Sequence, residues 1–239
     1  MTETQHAHCS GGKGEFLDLA GPAGPLEACL TLPPDEPPRA AVVLCHPHPR
    51  YGGTMNNKVV VYLARALRKH GAATLRFNFR GVGTSPGQFS GGPGEVADAA
   101  AAVDALATRF PDLPLWVAGF SFGSYAGLRA AAGDARVRRL VAVAPPVAWY
   151  DFAFLEAERR PVLIVQGGAD EVVDPDDVRA FRARMERDPE WLCFPEADHF
   201  FTRQVREMAD QVAARLFGAA VSLSGEIRVD ADCNATHSL

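Results

Sequence analysis

Apolar runs that predict buried strands alternate along the chain with segments in which apolar residues recur at helical spacing. The runs predicted as strands of one sheet are residues 40–45, 72–78, 113–119, 137–143, 161–166 and 191–194. The segments predicted as helices are residues 57–69, 95–110, 124–132, 175–186 and 202–217. Because strand–helix–strand alternation typically forms parallel crossover units, the pattern predicts an α/β fold with a mostly parallel central sheet and helices on both faces.

The two ends of the chain depart from this alternation. Residues 16–19 and 26–32 are predicted to pair as an antiparallel hairpin, because a turn rich in Gly and Pro joins them. Residues 1–13 are expected to form a disordered tail, and residues 219–239 a tail that is loose or adds an edge strand. The intervening residues 14–218 suit one α/β domain, and the 47% hydrophobic content supports a substantial core.

Charge and cysteine usage exclude several classes of protein. The net charge is −5 and no long basic run occurs, so we expect no nucleic-acid partner. No apolar stretch reaches the roughly 18 residues of a membrane span, so we expect no membrane partner. The first residues lack the basic and apolar parts of a signal peptide, and the five cysteines lack Cys-x-x-Cys spacing. These observations predict free thiols in a cytoplasmic protein, which we expect to be a monomer or a small homo-oligomer.

The segment Gly119-Phe120-Ser121-Phe122-Gly123 lies between a predicted strand and a predicted helix. In this context the Gly-x-Ser-x-Gly pattern is typical of a nucleophile elbow, a tight turn that exposes a reactive serine. Glycine on both sides would relieve a steric collision across the turn, and the following helix N-terminus would favour negative charge near the serine. Ser121 is therefore the candidate nucleophile, and the alternative is a chance turn of Gly and Ser.

A serine hydroxyl needs a base to remove its proton and an acid to orient that base. The order Ser, Asp, His that is typical of folds with an elbow leads to Asp170 and His199. Asp170 follows the predicted strand 161–166. Asp174 and Glu171 lie nearby as alternatives, although Asp174 better suits the start of the next helix. His199 lies between the last predicted strand and the final helix, where the alternative is an ordinary loop histidine.

An acyl-transfer site also needs two N–H donors for the oxyanion of its tetrahedral intermediate. One should be the backbone N–H of Phe122, directly after the nucleophile. The other should come from the loop after the first buried strand, in which Pro47 and Pro49 have no N–H to donate. The N–H of His48 is therefore our prediction, with the N–H of Tyr51 as the fallback.

His46 and His48 raise two further hypotheses, that of a rival base and that of a metal site. Both histidines precede the candidate serine in the chain, which is the wrong order for its base. No carboxylate or cysteine partner stands at ligand spacing from them, so we expect no metal. Nothing in the sequence indicates a cofactor.

Aromatic residues near these loops are candidate substrate contacts. The segment 144–160 is too short for a full cap domain over the site, so we expect an open cleft. Tyr51, Trp149 and Phe200 are predicted to line it. Further candidates of the same kind are Tyr150, Phe152, Phe154 and Phe201. Each of these aromatics could equally be a packing residue.

Four segments together are specific enough to indicate a family. They are Leu-Cys-His-Pro-His-Pro at 44–49, Gly-Gly-Thr-Met-Asn-Asn-Lys-Val at 52–59, Phe-Asn-Phe-Arg-Gly-Val-Gly-Thr-Ser-Pro-Gly at 77–87, and the elbow. The chain resembles a small bacterial α/β-hydrolase family, related to dienelactone hydrolases and serine esterases, over roughly residues 14–218. The resemblance implies an α/β-hydrolase fold with a catalytic triad of Ser121, Asp170 and His199. Dienelactone hydrolases use a cysteine nucleophile, so Ser121 argues against that chemistry.

The function that these observations favour is a serine hydrolase of the carboxylesterase type. Its substrate would be a small-molecule carboxylic ester or thioester, cleaved through an acyl-enzyme intermediate. One alternative is a peptidase of the oligopeptidase type, although the chain has no room for the gating domain of those enzymes. Another is a hydrolase-fold protein that only binds, against which the complete set of three candidate catalytic residues argues.

Overall fold

The computed structural model describes residues 14–34 and 36–218, so the predictions for the tails at 1–13 and 219–239 lie outside the described residues. These residues form one sheet. Its strands are β1 (Gly14–Gly21), β2 (Gly24–Thr31), β3 (Ala40–Cys45), β4 (Ala72–Phe77), β5 (Leu115–Phe120), β6 (Val137–Val143), β7 (Val162–Gly167) and β8 (Glu190–Phe194). The spatial order is β1-β2-β4-β3-β5-β6-β7-β8. β2 pairs antiparallel with both β1 and β4, and all other neighbouring strands pair parallel. The predicted mostly parallel sheet and the opening hairpin are confirmed.

Five α-helices cover the two faces of this sheet in the described part of the chain. They are α1 (Lys58–Lys69), α2 (Pro93–Arg109), α3 (Phe122–Ala131), α4 (Pro175–Arg182) and α5 (Val205–Phe217). Each face of the sheet has its own hydrophobic core, and alternate residues of β3 belong to different cores because successive side chains of a strand point to opposite faces. Val42 and Leu44 lie in the core under α1 and α5, whereas Val43 and Cys45 lie in the core under α2, α3 and α4. Burial on both faces explains why β3 is an unbroken apolar run.

The segment between β6 and β7 forms no cap. It contains one short 3₁₀ helix, Ala153–Leu155, and the side chains of Phe152 and Leu155 are buried in the core. The ring of Phe152 packs against that of Phe181 in α4, with the ring centroids 5.8 Å apart. The segment therefore packs against the domain and does not cover the site, which agrees with the prediction that it is too short for a full cap domain. Phe152 is a packing residue, and its proposed contact with substrate is wrong.

The strand order reverses direction beside β3, near the middle of the sheet. From β3 the chain crosses through α1 to β4 on one side, and β5 lies on the other side. Such a reversal opens a crevice at the carboxyl ends of the two strands, where α/β folds bind their ligands. The loop after β3 and the turn after β5 meet there.

Two further expectations concern cysteines and membranes. Cys45 is free and buried, as predicted. Cys29 and Cys193, which lie in the distant strands β2 and β8, are each disulfide-bonded but not to each other, so the expectation of free thiols is wrong for those two. The cysteines therefore no longer support the predicted cytoplasmic location. None of the helices within 14–34 and 36–218 is long and apolar enough to cross a bilayer.

Candidate active site

Ser121 occupies the sharp turn between β5 and α3. Its φ angle is 53°, in the left-handed region that residues other than glycine rarely adopt, and such strain persists only where the surroundings enforce it. Backbone hydrogen bonds enforce it here: the N–H of Ser121 donates to the Val143 carbonyl at 2.8 Å, and the N–H of Ser124 donates to the Ser121 carbonyl at 2.8 Å. The side chain is 7% exposed and lines a cleft.

The two glycines of the elbow are required by different neighbours. A Cβ on Gly119 would lie less than 3.0 Å from the backbone of Gly123 and Ser124, which is the collision across the turn that the sequence predicts. A Cβ on Gly123 would instead lie less than 3.0 Å from the carbonyl groups of Cys45 and His46. The second glycine therefore lets α3 approach the end of β3, which brings the loop after β3 close to the elbow.

His199 and Asp170 form a buried hydrogen-bonded pair. Nδ1 of His199 lies 2.9 Å from Oδ2 and 3.1 Å from Oδ1 of Asp170. Because an ionised carboxylate only accepts hydrogen bonds, this contact places the proton on Nδ1 and leaves Nε2 as the acceptor nitrogen. His199 lines the same cleft as Ser121.

Three donors fix the Asp170 carboxylate. The N–H groups of Val172 and Val173 donate to Oδ1 at 2.9 and 2.8 Å, and the side-chain amide of Gln166 donates to Oδ2 at 3.2 Å. The alternatives named from the sequence have other contacts. Asp174 caps α4 by accepting from the N–H of Asp176 at 2.9 Å, and Glu171 accepts from the backbone N–H of His199 at 3.5 Å.

Gln166 is a residue that sequence reasoning missed. Its side chain is fully buried at the carboxyl end of β7, and besides Asp170 its amide donates to the carbonyls of Gly167 and Val173. A lone amide side chain that ends an otherwise apolar strand run is the signal that points to it. Buried polar groups need partners, and here the partner is the candidate acid.

The two residues predicted to supply N–H groups for the oxyanion, His48 and Phe122, lie beside each other. The rings of His48 and Phe122 have centroids 5.2 Å apart, and both residues line the cleft with Ser121. Within the described residues, neither backbone N–H donates a hydrogen bond. The N–H of Tyr51 donates to the His48 carbonyl at 3.1 Å, so the fallback donor is already occupied. Burial, with a smaller contribution from Arg50, lowers the pKa of the His48 ring.

The loop that carries His48 is anchored to β4 and the residues after it. Nδ1 of His46 lies 2.7 Å from the Pro47 carbonyl, and its Nε2 accepts from the N–H of Phe79 at 3.0 Å. Further along, the buried Arg76 guanidinium donates to the Met55 carbonyl at 2.6 Å. Because both ring nitrogens of His46 are engaged by the backbone, His46 is a structural residue here rather than a metal ligand. No group of three metal-binding side chains occurs among the described residues.

The buried His46 makes the stability of the fold depend on pH. Burial lowers the pKa of His46 to about 4, whereas the unfolded chain binds this proton near pH 6.5. The contribution of the neutral His46 to the free energy of unfolding is therefore complete above about pH 6.5 and is lost as the pH falls towards 4. The loss amounts to about 3 kcal/mol.

We expect the free energy of unfolding to fall less steeply from pH 7 to 4.5 in His46→Gln than in the wild type. Urea denaturation across this range measures it, and His70→Gln, which changes a histidine outside this network, should keep the wild-type slope. Equal slopes in the wild type and His46→Gln would contradict a neutral buried His46.

The cleft beside Ser121 has a volume of about 580 Å³. Its lining is Pro47, His48, Tyr51, Gly52, Gly53, Asn57, Ser121, Phe122, Pro146, Trp149, Tyr150, Val172, His199 and Phe200. The structure thus places the three aromatics predicted as substrate contacts around one cleft. Phe201 is instead fully buried against Phe194, so its candidacy is wrong. No local sequence pattern indicates Pro146 and Val172, which reach the cleft through the course of their loops.

The fold, with a serine on the β5–α3 turn and a His–Asp pair beside it, defines the protein class as α/β-hydrolase. The family model described as serine aminopeptidase, S33, matches residues 36–157. An uncharacterized protein of Rickettsia prowazekii (strain Madrid E), RP471, is 36% identical over an alignment 201 residues long that covers 80% of this chain and 84% of that protein. The chain therefore belongs to the family of α/β serine hydrolases that this model describes.

Two solved structures are similar over nearly the whole domain. XC6422 from Xanthomonas campestris, described as an α/β serine hydrolase without lid, is 39% identical with a TM-score of 0.80 and covers 85% of this chain and 94% of its own. An α/β serine hydrolase homologue from Coxiella burnetii is 40% identical with a TM-score of 0.80 and covers 88% of this chain and 100% of its own. The predicted α/β-hydrolase fold is confirmed.

Proposed function

We propose that this protein is a serine hydrolase that cleaves small carboxylic esters or thioesters through an acyl-enzyme intermediate. The observation that carries the proposal is the buried pair of His199 and Asp170, 2.9 Å apart, in the cleft that Ser121 lines from a strained elbow. Strain and buried charge are costly, and their coincidence beside an open cleft is typical of a catalytic site. Ser121, His199 and Asp170 are the proposed nucleophile, base and orienting acid.

In the proposed acylation step, Nε2 of His199 accepts the Ser121 proton while Oγ bonds to the acyl carbon. The negative charge that develops on the carbonyl oxygen accepts hydrogen bonds from the N–H groups of Phe122 and His48. The carbon–oxygen or carbon–sulfur bond then breaks, and the imidazolium returns its proton to the leaving alcohol or thiol. Asp170 stays ionised and stabilises the positive charge on His199.

Deacylation repeats these steps with water as the nucleophile. Water gives a proton to Nε2 of His199 as its oxygen bonds to the acyl carbon, and the bond from Ser121 Oγ to that carbon breaks. Ser121 recovers its proton, and the carboxylic acid leaves. The same two N–H groups stabilise this second oxyanion, so one arrangement serves both halves of the reaction.

A peptidase is the second candidate, because the matching family model is described as a serine aminopeptidase. An aminopeptidase must hold the free ammonium group of its substrate, for which a carboxylate is the natural partner. No Asp or Glu belongs to the cleft lining in the described part of the chain. This difference favours the esterase proposal.

Labelling with a fluorophosphonate probe tests the proposal directly. We expect one covalent adduct per chain, located by peptide mapping at Ser121, because only an activated serine attacks the phosphorus atom. Ser121→Ala should take no label. Ser124→Ala, which removes the next serine of the same turn, should still be labelled. An unlabelled wild-type protein that is folded would favour the binding-protein alternative, and faster turnover of amino-acid anilides than of nitrophenyl esters would favour the peptidase.

A further inference from the structure

The cleft beside Ser121 is lined without any Asp, Glu, Lys or Arg among the described residues. Two charged side chains that adjoin lining residues in the chain are otherwise engaged. The guanidinium of Arg50 lies over the ring of Phe89, 5.2 Å from its centroid, and Glu171 accepts from the backbone of His199. A charged group on a substrate would therefore give up water and find no opposite charge, which is unfavourable.

The cleft instead concentrates exposed apolar surface. Within 14–34 and 36–218, six large hydrophobic side chains are exposed, and four of them line this cleft. They are Tyr51 at 85%, Trp149 at 61%, Phe200 at 45% and Val172 at 36% exposure. Soluble proteins rarely gather exposed apolar side chains in one place unless that surface binds something.

Two groups of aromatic rings line the cleft. In one group the ring of Phe122 packs against those of His48 and Tyr150, with centroid distances of 5.2 and 5.3 Å. In the other group the ring of Phe200 packs against that of His199 at 5.1 Å. These groups form two walls of the cleft, on which a flat ring can bind by stacking or by edge contacts.

Resting on the proposed function, we propose that the substrate is an ester that carries an aromatic group and no carboxylate. The walls supply apolar and ring contacts to such a molecule, and the cleft supplies no cation to an anionic one. Trp149 and Phe200, which are exposed in the free protein, are the residues that its ring would cover.

Ethyl esters with one common leaving group test the charge preference. We expect kcat/KM for diethyl adipate to exceed that for monoethyl adipate at least about 50-fold, because only the monoester brings a carboxylate into the cleft. We also expect kcat/KM for ethyl 3-phenylpropanoate to exceed that for ethyl pentanoate about tenfold, because the ring adds apolar contact. Proton release in a pH-stat measures all four esters.

A positive charge placed in the cleft should weaken the discrimination against the carboxylate. Trp149→Arg is expected to raise kcat/KM for monoethyl adipate at least about tenfold relative to that for diethyl adipate, through attraction of the carboxylate. Leu32→Arg is the matched control. Leu32 is also exposed, at 42%, but it follows Thr31, which pairs with Thr74 near the start of β4, at the opposite end of the strands. Phe200→Arg repeats the test on the other wall in case the first variant does not fold.

Equal rates for the two adipates, with Ser121 still labelled by fluorophosphonate, would overturn the inference and leave the proposed serine hydrolase intact. A cationic variant that gains nothing on the monoester would overturn it as well. No labelling and no hydrolysis of any ester would instead overturn the proposed function on which the inference rests.

Discussion

Ser121→Ala is expected to lower kcat for ester hydrolysis by about 10⁴-fold or more, since loss of the nucleophile in serine hydrolases removes the covalent pathway. The remaining rate would come from the oxyanion donors acting on water. A φ of 53° strains alanine about as much as serine, so the substitution adds no backbone strain and the fold should be retained. Initial rates on 4-nitrophenyl acetate, with circular dichroism to verify folding, measure the effect.

Ser124→Ala provides the control for this experiment. Its hydroxyl donates to the Ser121 carbonyl at 2.6 Å and is buried, so its removal should cost about 1 kcal/mol of stability. The rate of hydrolysis should change less than about tenfold, because Ser124 does not line the cleft. A Ser121→Ala variant that keeps a tenth of the wild-type kcat would rule out the acyl-enzyme mechanism.

Asp170→Asn is expected to lower kcat by about 10⁴-fold with little change in KM. The asparagine amide can hydrogen bond to His199 as a donor, which would place the proton on Nε2 and remove the base from the side that faces the nucleophile. It also loses the negative charge that stabilises the imidazolium. Steady-state kinetics over pH 6 to 9 measure kcat and KM separately.

Asp174→Asn is the matched control, four residues further along the chain. Asp174 caps α4 through the N–H of Asp176, and asparagine caps a helix about as well as aspartate. Its kcat should therefore stay near that of the wild type. If Asp170→Asn is as active as Asp174→Asn, the acid must be another residue, and Glu171, beside the backbone of His199, would be the next to replace.

The strands β3, β5 and β7 could be predicted from the sequence because each is buried along its whole length and consists almost entirely of apolar residues. Helix ends were less predictable, since tertiary contacts decide them. The helix predicted to reach residue 186 ends at Arg182. The helix predicted from residue 202 begins only at Val205, after Phe201 has adopted a φ of 51° and entered the core. No local signal distinguishes Phe201 from its exposed neighbour Phe200.

The residues that carry chemistry could be named from chain order and from the elbow, because those constraints are local. Their supporting groups could not. Gln166, at the end of β7, donates to Asp170 in the loop that follows, whereas Arg76 in β4 donates to Met55 in the loop after β3, and His46 after β3 accepts from Phe79 after β4. The last two contacts depend on which loops the sheet brings together, and a single sequence does not specify this.

The position of Trp149 gives the protein an optical reporter of its own. The chain has three tryptophans. Trp116 is buried in the core, and Trp191 lies half-buried beneath the guanidinium of Arg182 at 5.4 Å from its ring centroid. Trp149 is thus the indole at the cleft, and its emission in water should shift to shorter wavelength when an acyl group or inhibitor covers it. Occupancy of the cleft can then be followed in real time with unlabelled protein and with esters that release no coloured product.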